Sequence, residues 1–248
     1  ASKVILAGDP FQLPPTIKSL EAKKGGFDVT LIEKAIQRSA NISFLDVQYR
    51  MNEKIMQFSN QQFYKGTLKA DESVKNHALE SDEQPVEFVD TAGCGFDEKM
   101  NEEYKSRYNP DEFQILCEHL YQLAKKLPKD QETSIAIISP YRQQVIHMED
   151  TIAEDAILQS LNLSVNTIDG FQGQEKDVVY ISLVRSNNKS EIGFLNDYRR
   201  MNVAMTRARK KLIIVGDSAT IGGDEFYKSF LDYCDQVGGY RTAWEFMS

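Results

Sequence analysis

Thr167-Ile-Asp-Gly-Phe-Gln-Gly-Gln-Glu-Lys-Asp-Val-Val179 is a polar, glycine-punctuated loop that feeds an apolar run ending at Val184. Further along, Arg199-Arg-Met-Asn-Val-Ala-Met-Thr-Arg-Ala-Arg209 carries a helical pattern into a second apolar run, 212–215. Short β-rich runs that alternate with helical patterns predict a mostly parallel sheet covered by helices, an α/β fold. Working outward, the same reading predicts strands at 3–7, 42–47, 86–89, 134–138 and 165–168. Between them, 52–64 has Ile55, Phe58 and Phe63 on one side, as an amphipathic helix would. Asn109-Pro-Asp-Glu112 reads as the start of a helix over 113–127, with proline and acids in the first turn. Pro140-Tyr-Arg-Gln-Gln144 opens another. The polar stretches 66–85 and 91–109 read as surface connections, the second long for a loop. Val4-Ile-Leu-Ala-Gly-Asp9 and Leu212-Ile-Ile-Val-Gly-Asp217 both read as a buried strand ending in Gly-Asp, at the carboxyl end where doubly wound sheets bind ligands.

The 248 residues suffice for one large α/β domain or one domain plus a remnant of another. The natural division places 1–27 at the edge of one sheet and 28–248 in the other. Apolar runs such as 178–184 are far shorter than the roughly 20 residues that span a bilayer. No basic, apolar leader opens the chain, so an intracellular, cytoplasmic protein is expected. There is no initiator Met, and an apolar run begins almost at once, so the chain is expected to be cut from something longer. Cys94, Cys117 and Cys234 are far apart, as are His77, His119 and His147, and neither set has metal-ligand spacing. A net charge of −8 excludes a basic coat but leaves room for local phosphate contacts.

Four stretches are suited to phosphate chemistry. In Gly8-Asp-Pro-Phe-Gln-Leu-Pro-Pro15 the prolines stiffen the exit from a strand and hold Asp9 and Gln12; taken alone the string is first a rigid surface turn. In Gln48-Tyr-Arg-Met51, Tyr49 offers a flat face for a base and Arg50 a fork for phosphate oxygens, although a strand-end arginine is more often a solvated or paired group. In the 167–177 loop, Gly170 and Gly173 permit close backbone approach. Thr167 suits a nucleic-acid phosphate, and Glu175 suits sugar hydroxyls. On the helix read at 199–209, Met201, Ala204, Met205 and Ala208 form the buried face, with Arg200 and Arg207 stacked on one flank. From Asn196 to Lys211 there are six basic residues against Asp197, a local charge of +5 that calls for an anionic partner or nearby carboxylates.

In this order the stretches resemble the later motifs of superfamily 1B helicases, in the group of the nonsense-mediated-decay RNA helicase and the immunoglobulin mu-binding helicase. Gly8–Pro15 resembles motif III, Gln48–Met51 motif IV, Ser139-Pro-Tyr141 motif IVa, Thr167–Asp177 motif V and Arg199–Arg209 motif VI. The resemblance implies the second of two RecA-like lobes, with ATP and Mg2+ bound in the cleft between them. It makes Gln12 the γ-phosphate sensor and stacks Tyr49 on adenine. Arg50 and the arginine finger Arg207 reach the phosphates, with Glu175, Gly173 and Arg200 around the nucleotide. Ser139, Pro140, Tyr141 and Thr167 are put along single-stranded or partly duplex DNA or RNA, with 5′-to-3′ movement. The partner is the first RecA-like lobe of the same polypeptide. The motor reading depends on the Arg207 guanidinium facing a nucleotide held by the neighbouring lobe; a side chain locked inside its own lobe and pointing away from any open cleft overturns it.

Two departures define what is missing. No Gly-Lys dipeptide occurs, so the P-loop is absent, and Asp71-Glu-Ser73 follows a polar stretch instead of the buried strand that a magnesium-binding acidic box requires. Tyr198 also stands where the family often has proline. Two other classes share some of these features: a non-enzymatic nucleic-acid or phosphate-binding module on a RecA-like shell, and a different nucleotide-binding α/β enzyme, which would need the missing phosphate loop. The isolated chain is therefore expected to show no ATP hydrolysis; measurable turnover by pure material would overturn this.

Overall fold

Lys176–Ser182 is buried along nearly its whole length, and its side chains divide cleanly between two hydrophobic clusters. Val179 and Ile181 face one, Val178 and Tyr180 the other, as the period of two along a strand requires. A strand apolar on both faces belongs inside a parallel sheet covered on both sides. A computed structural model of the chain describes residues 4–13, 17, 19–27, 29–38, 41–80, 84–128 and 132–247. In it this strand lies near the middle of a six-stranded parallel sheet.

In chain order the strands are β1 (Val47–Gln48), β2 (Lys69–Ala70), β3 (Val86–Asp90), β4 (Lys99–Asn101), β5 (Ser106–Tyr108), β6 (Ile135–Ser139), β7 (Leu163–Thr167), β8 (Lys176–Ser182), β9 (Ala208–Gly216) and β10 (Tyr240–Thr242). The helices are α1 (Leu20–Lys24), α2 (Leu31–Arg38), α3 (Glu53–Phe63), α4 (Pro110–Lys126), α5 (Arg142–Glu154), α6 (Ala156–Gln159), α7 (Tyr198–Met205), α8 (Ser218–Ile221) and α9 (Glu225–Gln236). The main sheet runs β10-β3-β9-β8-β6-β7, every neighbour parallel. Helices α3, α7 and α9 cover one face, through residues such as Phe58, Met201 and Phe230. Helices α4, α5 and α6 cover the other, through Phe113, Leu116, Met148 and Leu158. This is the expected RecA-like α/β architecture. Between β7 and β8 the crossover is unusually spare, with residues 168–175 forming only a short 3-10 turn at Asp169–Phe171. No helix among the described residues is long and apolar enough to cross a membrane, and the three cysteines are free.

The helix starts follow local chemistry. Asn52 and Asn109 accept from Lys54 N and Glu112 N and so cap α3 and α4, and Pro110 sits in the first turn of α4. Asp217, read as the end of a ligand-binding strand, instead caps α8 and accepts from Ser186 Oγ and Thr220 Oγ1.

Four expectations are corrected. The run at 3–7 is not a buried strand: residues 4–7 are irregular, with Val4 71% and Ile5 80% exposed, and Lys3 lies outside the described residues, as do Pro14 and Pro15. At 42–47 only Val47 enters a strand, pairing with β2, while Phe44 and Leu45 face solvent. A strand is stable only where its amides and carbonyls find partners, and the described residues offer no neighbouring strand to either run. The helix read at 199–209 stops at Met205, because β9 begins at Ala208 and pairs there with Lys176. Within 91–109, read as a loop, β4 and β5 form an antiparallel hairpin.

At the amino end of the sheet a buried polar cluster ties β3, β8, β9 and α4 together. Glu87 accepts from His119 Nε2 at 2.9 Å and from Lys211 Nζ, while His119 Nδ1 meets the Tyr180 hydroxyl at 2.8 Å. Burial alone would raise the Glu87 carboxyl, but the His119 hydrogen bond and the Lys211 charge bring it down from 4.5 to about 2. The folded protein thus keeps this carboxylate ionised where the unfolded chain protonates it. Its stabilisation is complete above pH 4.5 and fades as pH falls towards 2. Glu87→Gln is expected to cost about 3 kcal/mol at pH 7 by urea denaturation and to flatten the acid limb of the stability profile; an unchanged midpoint at pH 7 would show that the cluster contributes nothing.

Candidate active site

The six basic residues of 196–211 are sorted by their partners. Arg199 pairs with Glu33 at 3.1 Å, Arg200 with Asp197 at 2.9 Å and Asp169 at 3.5 Å, and Lys211 with Glu87. Arg209 reaches Glu175 and Asp177, and Lys210 also meets Asp177. Asp177 is itself held by the amide and hydroxyl of Ser134, so it clamps β9 to the start of β6. Among the described residues Arg207 has no carboxylate partner, yet it is only 3% exposed. Its guanidinium donates to Val203 O at 2.9 Å, Gln174 O at 3.2 Å and Thr206 Oγ1 at 3.4 Å, all neutral acceptors of its own lobe. Burial, with the Arg50 charge alongside, holds its pKa down at about 10.

Over Arg207 lies a lid of two half-exposed side chains. Arg50 Nε donates to Glu175 Oε2 at 2.6 Å, and Arg50 Nη1 donates to Thr206 O at 3.2 Å. The turn that presents Arg50 is built by Gln48, whose Oε1 accepts from Arg50 N and Met51 N at 2.8 Å each. Tyr49, at its tip, is 68% exposed with its ring free for a flat ligand. Glu175 ends the spare 168–175 crossover, where Gly173 adopts φ +82° and a Cβ on Gly170 would stand 2.3 Å from Asn166 Oδ1. The Asp9–Gln12 turn closes the other side: Gln12 Nε2 donates to Asp9 Oδ2 at 3.2 Å, and the Tyr64 hydroxyl donates to the same oxygen at 2.6 Å. The structure therefore gathers Gln12, Arg50, Glu175 and Arg207 from four separate stretches. It turns Arg207 inward beneath the others and leaves Arg200 in a half-exposed pair beside them.

Ser139, Pro140, Tyr141 and Thr167 collect elsewhere. Ser139 pairs in register with Thr167 at the carboxyl ends of β6 and β7, whereas Glu175 and Arg207 precede β8 and β9. With seven residues in β8, the two groups lie on the order of 20 Å apart along the sheet. Tyr141 is buried, its ring 5.5 Å from that of the exposed Phe194. Ser139 is also buried, its hydroxyl accepting from Tyr141 N at 3.3 Å, and Thr167 Oγ1 accepts from Gly170 N at 3.4 Å. Sequence reading missed what braces this edge. Val184 holds φ +71°, which a β-branched residue rarely adopts. Its amide donates to both carboxyl oxygens of Glu112 at 3.0 Å, in a site where burial pushes that carboxyl up to about 8. No group of three His, Cys, Asp or Glu side chains among the described residues is placed to hold a metal ion.

By its fold the chain is a RecA-like α/β lobe. A family model described as an AAA domain matches residues 27–219. DNA polymerase alpha-associated DNA helicase A of Saccharomyces cerevisiae is 40% identical over 263 residues, covering 96% of this chain and 38% of that protein. DNA-binding protein SMUBP-2 of Rattus norvegicus is 38% identical over 258 residues, covering 100% of this chain and 26% of that protein. An uncharacterised ATP-dependent helicase of Methanocaldococcus jannaschii is 39% identical over 254 residues, covering 95% and 35%. The chain belongs to the superfamily 1B helicases, in the group first recognised from its motifs. It spans between 26% and 38% of the length of these relatives. Among solved structures, the C-terminal domain of a possible DNA helicase from Lactobacillus plantarum aligns with 79% of this chain and 99% of its own, at a TM-score of 0.40 and 11% identity; the fold assignment rests on the sheet topology instead.

The turn at Gly173 is left-handed, so a side chain there is strained whatever the space around it. Gly173→Ala is expected to lower unfolding free energy by about 1–2 kcal/mol, measured by urea titration; an unaltered midpoint would show that the loop relaxes without cost.

Proposed function

We propose that this chain is the second motor lobe of an ATP-dependent DNA or RNA helicase or translocase. ATP lies between it and a first RecA-like lobe of the same polypeptide, which supplies the phosphate-cradling loop and the ligands of Mg2+. On this reading residues 1–27 belong to the edge of that first lobe and 28–248 form the second. The exposed apolar side chains at Val4, Ile5, Phe44 and Leu45 support it, since neighbouring large apolar residues left open to water are the kind of surface a further lobe covers. The protein acts inside the cell, and the chain by itself is inactive as an ATPase.

The observation that carries the proposal is the convergence of Arg50, Glu175 and Arg207 from three separate stretches, the Arg207 guanidinium being dehydrated and, among the described residues, hydrogen-bonded only to neutral acceptors. A buried cation costs several kcal/mol unless it meets an anion. The terminal phosphates of ATP supply one, and two guanidiniums converging on them stabilise the charge that develops in phosphoryl transfer. Glu175 then exchanges its partners: ribose hydroxyls replace Arg50 at its carboxylate, and the γ-phosphate replaces Glu175 at Arg50. With that pair parted, Arg207 is released from Gln174 O towards the phosphate. Tyr49 stacks on the base, Gly173 and Arg200 border the nucleotide, and Gln12 senses the γ-phosphate. The nucleic acid runs along the edge formed by Ser139, Pro140, Tyr141 and Thr167, where the exposed Phe194 ring offers a further stacking face.

The inward orientation of Arg207 favours a second reading, a non-enzymatic phosphate or nucleic-acid binding module on the same shell. One assay separates the two. In the full-length protein, Arg207→Ala is expected to lower strand-stimulated ATP turnover by about 10³-fold or more while leaving nucleotide-free binding to single strands intact. Normal turnover in that variant overturns the finger assignment, and absence of turnover in the unaltered full-length protein favours the binding module.

A further inference from the structure

Between Gln12 and Arg207 runs a series of hydrogen bonds, joined across Asn202 by that residue's own covalent frame, through Asp9, Tyr64, Asn202 and Thr206, none of which has a role assigned from the motifs. Gln12 Nε2 donates to Asp9 Oδ2 at 3.2 Å. The Tyr64 hydroxyl donates to that same oxygen at 2.6 Å and accepts from Asn202 Nδ2 at 3.2 Å. Asn202 Nδ2 also donates to Phe11 O at 2.9 Å, so one amide grips both Tyr64 and the backbone of the Asp9–Gln12 turn. From Asn202 the series passes along the last turn of α7. Thr206 Oγ1 donates to Asn202 O at 2.7 Å and accepts from Arg207 Nη2 at 3.4 Å.

The surroundings make this route stiff. Asn202 is fully buried, and its Oδ1 accepts no hydrogen bond from the described residues. The Tyr64 ring stands edge-on to Phe11 at 5.4 Å and lies near Phe63 and Phe44. Burial and the bond to Asp9 both push the phenol pKa up, so the hydroxyl keeps its proton and its donor role throughout the working pH range. A change in what Gln12 contacts alters Asp9, and Asp9 can move only by dragging or releasing the Tyr64 hydroxyl and the Asn202 amide.

We infer that Tyr64 and Asn202 are positioning residues that transmit the state of Gln12 to Arg207, coupling γ-phosphate sensing to placement of the finger. The inference rests on the motor reading above. Neither residue touches substrate: Tyr64 acts through Asp9, and Asn202 through Thr206. A contiguous route is a structural precondition for coupling, and the coupling itself is an energy that substitution measures.

The test uses the full-length protein. Tyr64→Phe removes one oxygen and keeps the ring among Phe11, Phe63 and Phe44. It is expected to lower the kcat of strand-stimulated ATP hydrolysis by about tenfold, with KM for ATP and affinity for single strands within about twofold. The kcat–pH profile should keep its shape, because the phenol does not titrate there. Asn202→Ala should give a similar fall, and the double variant should be no slower than the slower single, since both break one series. An unchanged kcat in Tyr64→Phe, a change confined to KM, or full additivity in the double variant would each overturn the inference. Should Asn202→Ala fail to fold, Tyr64→Phe alone decides. If Arg207→Ala abolishes turnover and Tyr64→Phe does not slow it, only the coupling fails; if Arg207→Ala leaves turnover normal, the motor reading itself fails.

Discussion

A guanidinium kept out of water without a carboxylate is the constraint around which this site is organised. Five of the six cations between Asn196 and Lys211 are matched by acids, Asp197 of the same stretch and Glu33, Glu87, Asp169, Glu175 and Asp177 from other parts of the chain. The sixth, Arg207, is the most enclosed of the residues assigned to the nucleotide, and among the described residues it hydrogen-bonds only to carbonyls and a hydroxyl. Carbonyl dipoles offset part of the dehydration cost, while burial and the Arg50 charge hold the guanidinium pKa below its usual value against the opposing charge of Glu175. Everything nearby bears on that imbalance. Arg50 adds a second positive charge, and Glu175 compensates Arg50 from a turn made possible by Gly173.

The sheet supplies the rigidity. Because its strands are parallel and buried on both faces, their two ends are chemically distinct, and the two groups of candidate residues lie at opposite ends. The short crossover from Thr167 to Lys176 runs from one end to the other with only a 3-10 turn, leaving the Ser139–Thr167 edge and arriving at Glu175. A change at either end therefore bears on the same few residues. On the opposite layer, Glu87 and Lys211 anchor the same β9 that Arg207 precedes, so the cation cluster starts from a fixed strand.

Much of this was legible from residue types. Alternating and continuous apolar runs located β3, β6, β7, β8 and β9 to within a few residues, apolar spacing marked α3, and proline with acids in the first turn marked α4. Other features were not. The exposed runs near Val4 and Phe44 read as strands because apolar, β-branched residues resemble strand interiors whether or not a neighbouring strand exists to pair with them. Helical periodicity through Ala208 was equally misleading: that alanine is buried in β9, and a single small apolar residue satisfies either period. The resemblance put Tyr141 along the nucleic-acid path, and the structure buries it with its ring 5.5 Å from that of Phe194.

The chain's order of residues determined by itself the parallel α/β class, the family and the short list of charged and flat side chains suited to nucleotide and strand. Those follow from local chemistry and spacing. Only the tertiary structure decided which cation would be left without an acid, which way it would point, and that Tyr64 and Asn202 would stand between it and Gln12. Such outcomes depend on groups far apart in the chain, brought within 3 Å or so by packing, and no local pattern encodes a distance of that kind.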